Sequence, residues 1–348
     1  MLPLVRRSAA AIALVLATAS ADAFADVDES LPAYAPPASL QGTLTCAGGD
    51  TMQALTTSWA RAFTRLNPRT QITVSGDAKL SADGFAALLD GRVDCVTFVR
   101  EPFPAERAAF AQTFGHAPLL VTVANGSYAT KSSTHAIAIF VSAANPLAQL
   151  DLTQLDAILS KERRRGAPAA ITRWGQLGLT GAWADRPVHV YSMVRVRETG
   201  NPSGIVNFLQ QRALRGGTLR DDVIEQRDKP GESALQAIVN RVSEDANGIG
   251  YSGFGYAVPG VKTLALAETP AGPFFTGTPA EVARRDYPLS RQIYLLFEPA
   301  PGKTLGPIVH EFVRFILSRQ GQDIVADDPM HFIPLSAAQA ATAAAQTP

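Results

Sequence analysis

The stretch Leu44-Thr45-Cys46-Ala47-Gly48-Gly49-Asp50-Thr51-Met52-Gln53-Ala54-Leu55 decides the fold. Its first part reads as a strand and two glycines turn it. A helix pattern follows, with Met52, Leu55, Trp59, Phe63 and Leu66 three or four apart on one face. Asp50 or Thr51 is the natural N-cap. A strand that runs through glycines into a capped helix leaves unpaired backbone N–H groups at the positive end of the helix dipole, a geometry that binds anions. An ordinary strand-to-helix turn has the same local pattern, so neighbouring segments must separate the two.

Working outward, residues 71–74 read as a second strand, 84–89 as a helix ended by Gly91, and 92–98 as a third, buried strand. This β-α-β-α-β order predicts an α/β fold, a mainly parallel sheet flanked by helices. Ligands of such sheets bind beyond the carboxyl ends of the strands, where Gly49–Met52 and Val99-Arg100 fall. A strand at 188–193 leads into Arg195-Val196-Arg197-Glu198-Thr199-Gly200-Asn201-Pro202-Ser203-Gly204 and then a helix from Ile205. The opening arrangement thus recurs with arginine beside it. Two such units far apart in sequence predict two lobes with an anion between them, and the planar fork of Arg197 suits a tetrahedral oxyanion. Residues 135–143 read as an apolar strand, 151–159 and 232–242 as helices, and 248–252 as a short strand. Residues 269–286, rich in Pro and Gly, read as a surface excursion. Residues 287–297 run into a strand, 307–318 form an amphipathic helix, and the Ala- and Gln-rich end after Leu335 is a terminal helix or a frayed tail.

The chain has 348 residues, 46% hydrophobic and 18% charged, enough for one large or two medium domains. Lys plus Arg and Asp plus Glu both total 31 with no basic stripe, which argues against nucleic acid as a partner. Arg6 and Arg7, the apolar run 8–19 and the small-x-small sites at 21–23 and 23–25 read as a signal peptide, with cleavage after Ala25 favoured. No later segment approaches the ~18 apolar residues of a spanning helix. The expectation is an exported, periplasmic protein. Cys46 and Cys95 both fall in predicted strands, so a disulfide forms only if those strands are neighbours with suitable geometry.

No catalytic set emerges. Gly302-Lys303-Thr304 lacks the first glycine of a P-loop, since position 297 is Phe. Gly250-Tyr251-Ser252-Gly253-Phe254 lacks the last glycine of a nucleophile elbow. The five histidines have no metal-ligand spacing, and His135 and His189 read as core or cleft residues. The reading is therefore a binding protein without cofactor or metal.

These features together resemble a known family, the phosphate-binding periplasmic components of bacterial phosphate ABC transporters. The likeness covers residues 42–335. It is carried by Gly49-Asp50-Thr51-Met52 with Trp59, by Val93-Asp94 ahead of Val99-Arg100, and by Trp174-Gly175-Gln176-Leu177-Gly178-Leu179. Gly248 to Gly253, Tyr287-Pro288-Leu289-Ser290-Arg291, Glu311 to Gln322 and Phe332-Ile333-Pro334-Leu335 extend it. The resemblance implies the two-lobed periplasmic-binding-protein fold, joined by two crossing strands. Lobe one is placed at 42–136 and 263–340, lobe two at 137–262, after a signal peptide (1–25) and a flexible leader (26–41) and before a tail (341–348). It implies capture of inorganic phosphate, or a related oxyanion, by a monomer that delivers it to a membrane ABC permease. By position, the ligand set is Thr51, Met52, Ser81, Arg197, Ser203 and Gly204, with Arg100 at the rim.

Four departures stand out. Val99 replaces the serine usual before Arg100, Ile205 replaces the threonine usual after the loop glycine, the loop is longer, with Arg197 six positions before Ser203, and the glycine-serine pair of the second loop is blurred into Ala78-Lys79-Leu80-Ser81, so that Ser81 lies only near the usual serine position. Each lost hydroxyl removes a hydrogen bond to a buried anion, roughly 1.5–3 kcal/mol. Two losses weaken binding by about a hundredfold or more. A divergent member with weakened or lost phosphate binding, acting as a partner-binding or signalling protein, is the alternative. Asp50 either caps its own helix or faces the cleft, where it would favour a protonated oxyanion; capping is the expected role.

Overall fold

The computed structural model describes residues 27–49, 51–76, 80–298 and 305–347. The signal-peptide reading and the two roles weighed for Asp50 lie outside the described residues.

The chain first lays down β1 (Gly42–Ala47), α1 (Gln53–Leu66), β2 (Thr70–Ser75), α2 (Ser81–Leu89), β3 (Cys95–Phe98), α3 (Pro104–Phe114) and β4 (Leu119–Asn125). It then builds a second unit from β5 (Ile137–Ser142), β6 (Gln149–Asp151), α4 (Leu152–Leu159), β7 (His189–Met193), α5 (Gly204–Arg212), β8 (Ile224–Gln226), α6 (Ala234–Glu244), β9 (Gly248–Gly253), β10 (Val261–Thr263) and β11 (Ala265–Ala267). After α7 (Pro279–Arg284) it returns as β12 (Gln292–Phe297), α8 (Pro307–Ile316), α9 (Arg319–Ala326) and α10 (Ala337–Ala344).

Two five-stranded sheets result, in the orders β2-β1-β3-β12-β4 and β10-β5-β9-β7-β8. Both are mixed, so the parallel part is smaller than the β-α-β pattern implies. β1 runs parallel to β2 and β3, and β7 runs parallel to β8 and β9. The antiparallel strands, β12 in the first sheet and β5 in the second, are the ones that enter directly from the other lobe. A chain arriving across the hinge enters at the end of the sheet where the crossover-fed strands stop, and so runs against them.

Apolar side chains cover both faces of the first sheet. Leu55, Trp59 and Phe63 of α1 pack with Phe312 and Phe315 of α8 on one face, and Phe85, Phe98 and Phe110 pack on the other. Met52, Leu55, Trp59 and Phe63 are buried as the helical spacing predicts, whereas Leu66, at the last residue of α1, is 40% exposed. Cys46 and Cys95 are direct partners across β1 and β3 and form a buried disulfide with Cα atoms 4.5 Å apart.

Three placements differ from the sequence reading. The segment read as a flexible leader (26–41) is anchored. Leu31, Tyr34 and Leu40 join the first core, the Tyr34 hydroxyl lies 3.2 Å from both Asn67 Nδ2 and Glu311 Oε2, and Arg314 stacks on its ring. One buried aromatic with a satisfied hydroxyl outweighs the Pro-rich composition around it. The tail assigned to 341–348 begins inside α10, whose Ala340 and Ala343 are buried against the same core. The return to the first lobe comes later than residue 263. β11 pairs with β6, and Leu264, Leu266, Val282, Tyr287 and Leu289 pack in the second core. The Pro- and Gly-rich excursion is therefore pinned at both ends, and the crossing segments are Asn125 to Ile137 and Leu289 to Gln292. They are tied by the Ile137 N–H to the Leu289 carbonyl (3.1 Å) and the Gly126 N–H to the Arg291 carbonyl (2.8 Å).

Candidate functional site

The carboxyl ends of β1 and β3 meet the start of α2. The Gly49 N–H donates to Thr97 Oγ1 at 2.7 Å, which fixes the glycine turn onto β3. A Cβ at Gly49 would stand 3.4 Å from the Ser81 nitrogen, 3.5 Å from Ser81 Oγ and 3.7 Å from Thr97 Oγ1. The missing side chain therefore leaves a small cradle walled by an amide and two hydroxyls. Thr97 Oγ1 is engaged by the backbone. Ser81 Oγ is buried, in a residue 5% exposed, and has no hydrogen-bond partner among the described residues. A buried hydroxyl left unpaired costs about 1–3 kcal/mol. Ser81 stands at the start of a nine-residue helix, where backbone N–H groups and the helix dipole favour negative charge.

α1 starts beside the same cradle. Its N-cap position is Met52 rather than Asp50 or Thr51, and the Met52 N–H donates to the Gly49 carbonyl at 3.0 Å. The Met52 side chain is fully buried in the first core. Thr51 is partly exposed in the turn between them.

On the other lobe, Ser203 caps α5. Its Oγ accepts the Val206 N–H at 3.2 Å and lies 3.4 Å from Met193 Sδ. Gly204, the first residue of α5, faces lobe one. A Cβ there would stand 3.3 Å from Arg100 Cδ and 3.4 Å from Arg100 Cβ. Arg100 and Gly204 are thus brought together across the cleft. The Arg100 guanidinium, however, points away to Glu106 in a two-pronged pair (2.6 and 2.7 Å) and lies 3.7 Å above the Phe103 ring. Glu106 also accepts the Phe103 N–H at 2.7 Å, so one carboxylate caps α3 and saturates Arg100. The expectation of Arg100 as a rim cation meets a side chain whose charge is already neutralised; it forms a wall.

Arg197 is not in a buried cleft. It is exposed, in a tight turn closed by its N–H to the Asn201 carbonyl and by the Gly200 N–H to its own carbonyl, both 2.9 Å. The inserted residues of the long loop form this turn, and Gly200 at φ +78° allows it. Arg195 is held by Glu225 and Asp221. The starts of α1, α2 and α5 add positive potential at the cleft.

Sequence reasoning missed Arg291 and Tyr294 at the hinge, while reading their neighbour His135 as a core or cleft residue. Arg291 is 5% exposed, donates through Nη2 to the Val99 carbonyl at 3.1 Å, and lies 5.3 Å from the Phe208 ring of α5. Burial lowers its pKa, partly offset by the nearby Glu101 carboxylate and Tyr294. Tyr294 donates to Glu101 Oε1 at 3.1 Å, and its own pKa is pushed well up by burial and by that carboxylate. His135, 2% exposed, is held neutral down to about pH 4 by burial and by the charge of Arg291. The Tyr-Pro-Leu-Ser-Arg motif was the available signal, but nothing in its spacing says that the arginine turns inward. Among the described residues no cluster of His, Cys, Asp and Glu could hold a metal ion, and no helix is long and apolar enough to cross a membrane.

A model of the PBP superfamily domain matches residues 33–320. The phosphate-binding protein PstS of Pseudomonas aeruginosa is 35% identical over 333 residues, covering 95% of this chain and 95% of that protein. Among solved structures, PstS from Borrelia burgdorferi aligns over 85% of this chain and 100% of its own with a TM-score of 0.52 and 17% identity. An ABC-type phosphate transport receptor from Vibrio cholerae aligns over 84% and 100% with a TM-score of 0.50 and 18% identity. At those identities the two structures speak for the fold, and the P. aeruginosa protein speaks for kinship. The chain belongs to the PBP superfamily and, within it, to the family of the phosphate-binding protein PstS.

Proposed function

We propose that the chain captures inorganic phosphate in the cleft between its lobes, outside the cytoplasm, and hands it to a membrane ABC permease. The family is one of binding proteins rather than enzymes. The observation that carries the proposal to this chain is the Ser81 hydroxyl, buried and unpartnered among the described residues, in a cradle bounded by Gly49 and Thr97. Ser81 Oγ donates to the oxyanion. The turn at Thr51 and the start of α1 offer backbone N–H groups from the same lobe, with Met52 contributing through its main chain alone. The start of α5 at Ser203 and Gly204 closes from the other lobe, Arg100 bounds the site with its aliphatic stem, and Arg197 adds a screened charge from outside. Arrangement of helix starts around a small tetrahedral anion favours phosphate over larger or neutral solutes.

Calorimetric titration of the chain from residue 26 onward tests this. One phosphate per chain is the expected stoichiometry, with a sulfate titration as the comparison. A folded protein that gives no binding heat with millimolar phosphate refutes the proposal.

A further inference from the structure

The face of α5 opposite its own core docks on the loop that follows β3, and three hydrogen bonds there cross from one lobe to the other. Asn207, 1% exposed, donates through Nδ2 to the Glu101 carbonyl at 2.9 Å. Gln211 donates through Nε2 to the Pro102 carbonyl at 3.2 Å and to Asn207 Oδ1 at 2.7 Å, and its Oε1 accepts from Arg107 Nη2 at 2.6 Å. Asn207 and Gln211 are four residues apart, so they lie one above the other on a single helix face. The Glu101 and Pro102 carbonyls cannot be satisfied by strand pairing, because β3 has ended at Phe98. A side-chain amide is the group that reads such carbonyls while keeping an acceptor free for its neighbour.

We propose that Asn207 and Gln211 are positioning residues, an interlobe latch that holds the start of α5 against lobe one when the cleft is closed. Gly204 lies one turn before Asn207 on the same helix, against Arg100. A rigid helix transmits the register set at 207 and 211 to the N–H groups at its start. Two of the contacts are directed at backbone carbonyls and the third joins Arg107 to the Gln211 amide, and none involves a group placed at the anion, so the latch acts on the angle between the lobes and not on the chemistry of the anion. Opening breaks all three interlobe bonds together, since one lobe supplies the amides and the other the carbonyls and Arg107. The role of the latch in capture rests on the phosphate reading above; the latch itself does not.

The test joins a distance measurement to a kinetic one. Spin labels at Arg92→Cys and Asp185→Cys, with side chains 62% and 94% exposed on opposite lobes, report the lobe separation by pulsed dipolar spectroscopy. The ligand-free protein is expected to show a short-distance population that Asn207→Ala/Gln211→Ala largely removes. Inorganic phosphate is expected to leave the double variant about tenfold faster than the native protein, with association changed less than twofold, because a latch acts after encounter. A general loss of structure would move the thermal midpoint instead. Gln211→Met, at a half-buried position and of similar volume, guards against that outcome and should give a smaller shift of the same sign. Equal distance distributions in native and variant proteins, or no short-distance population in the native protein with or without phosphate, overturn the latch. If phosphate binds neither protein, the functional reading fails while the distances still decide the latch.

Discussion

Ser81 opens α2 in the first lobe and Ser203 caps α5 in the second. Both are buried, at 5% and 3% exposure, both stand at a helix start, and both enter the expected ligand set through the family resemblance. Their hydroxyls differ in use. Ser203 Oγ is taken up by the Val206 N–H and Met193 Sδ, and Ser81 Oγ has no partner among the described residues. The same contrast holds for the arginines. Arg100 spends its fork on Glu106, while Arg197 stands exposed in a turn. On the proposed reading, the hydroxyl that meets the anion in the first lobe is the buried one that the fold has not already paired. Residue type and spacing alone do not separate the two serines.

Filling the cradle should have the largest effect on binding. Gly49→Val places branched carbon where the oxyanion would sit, and phosphate binding should fall by more than about a hundredfold, in line with loss of several charge-assisted hydrogen bonds. Isothermal titration of the folded variant measures it. Ser81→Ala comes next. It removes one hydrogen bond to a charged group, about 1.5–3 kcal/mol, or about ten- to hundredfold in affinity. Thermal stability should be unchanged or slightly raised, because no protein partner is lost. Ser203→Ala should do the reverse. Losing an N-cap costs about 1 kcal/mol of stability, read by denaturant unfolding, with only a few-fold effect on phosphate affinity. If Ser203→Ala weakens binding as much as Ser81→Ala while leaving stability alone, the distinction between spent and unspent hydroxyls is wrong. Arg197→Ala should have the smallest effect, under about threefold at physiological salt, because its charge is exposed and screened. The sequence reading, which sets the planar fork of Arg197 on the oxyanion, implies a much larger effect.

The fold was legible because burial and period are local properties. Trp59 and Phe63 announce the buried face of α1, and the glycines at 48 and 49 announce its start. The leader was misread because composition averages over residues, and one tyrosine, Tyr34, packed against Phe63 and Phe315 decides the segment. The segments of the candidate site were legible as places in the fold, and the surroundings of their side chains were not. Val99 and Ile205 read as lost hydroxyls. In the structure, part of Val99 packs on the first core and part of Ile205 on the second, and the Val99 carbonyl receives Thr134 Oγ1 and Arg291 Nη2, each at 3.1 Å. Those side chains serve packing, and the backbone beside Val99 anchors the hinge. Asn207 and Gln211 carried no readable signal, and the motif around Arg291 did not show that its side chain turns inward. Their partners lie about a hundred or more residues away on the other lobe, and only the folded chain brings them together.

The central claim is that the anion sits at the unspent hydroxyl of the first lobe and is closed over by α5. A crystal structure with arsenate, a heavier tetrahedral analogue of phosphate whose arsenic scatters anomalously, locates it directly. The account predicts one strong arsenic peak in the cleft, with an arsenate oxygen about 2.5–3.0 Å from Ser81 Oγ and others directed at the starts of α1 and α5. An arsenic peak elsewhere, or a cleft in which Ser81 remains without an oxyanion partner at saturating arsenate, would contradict it.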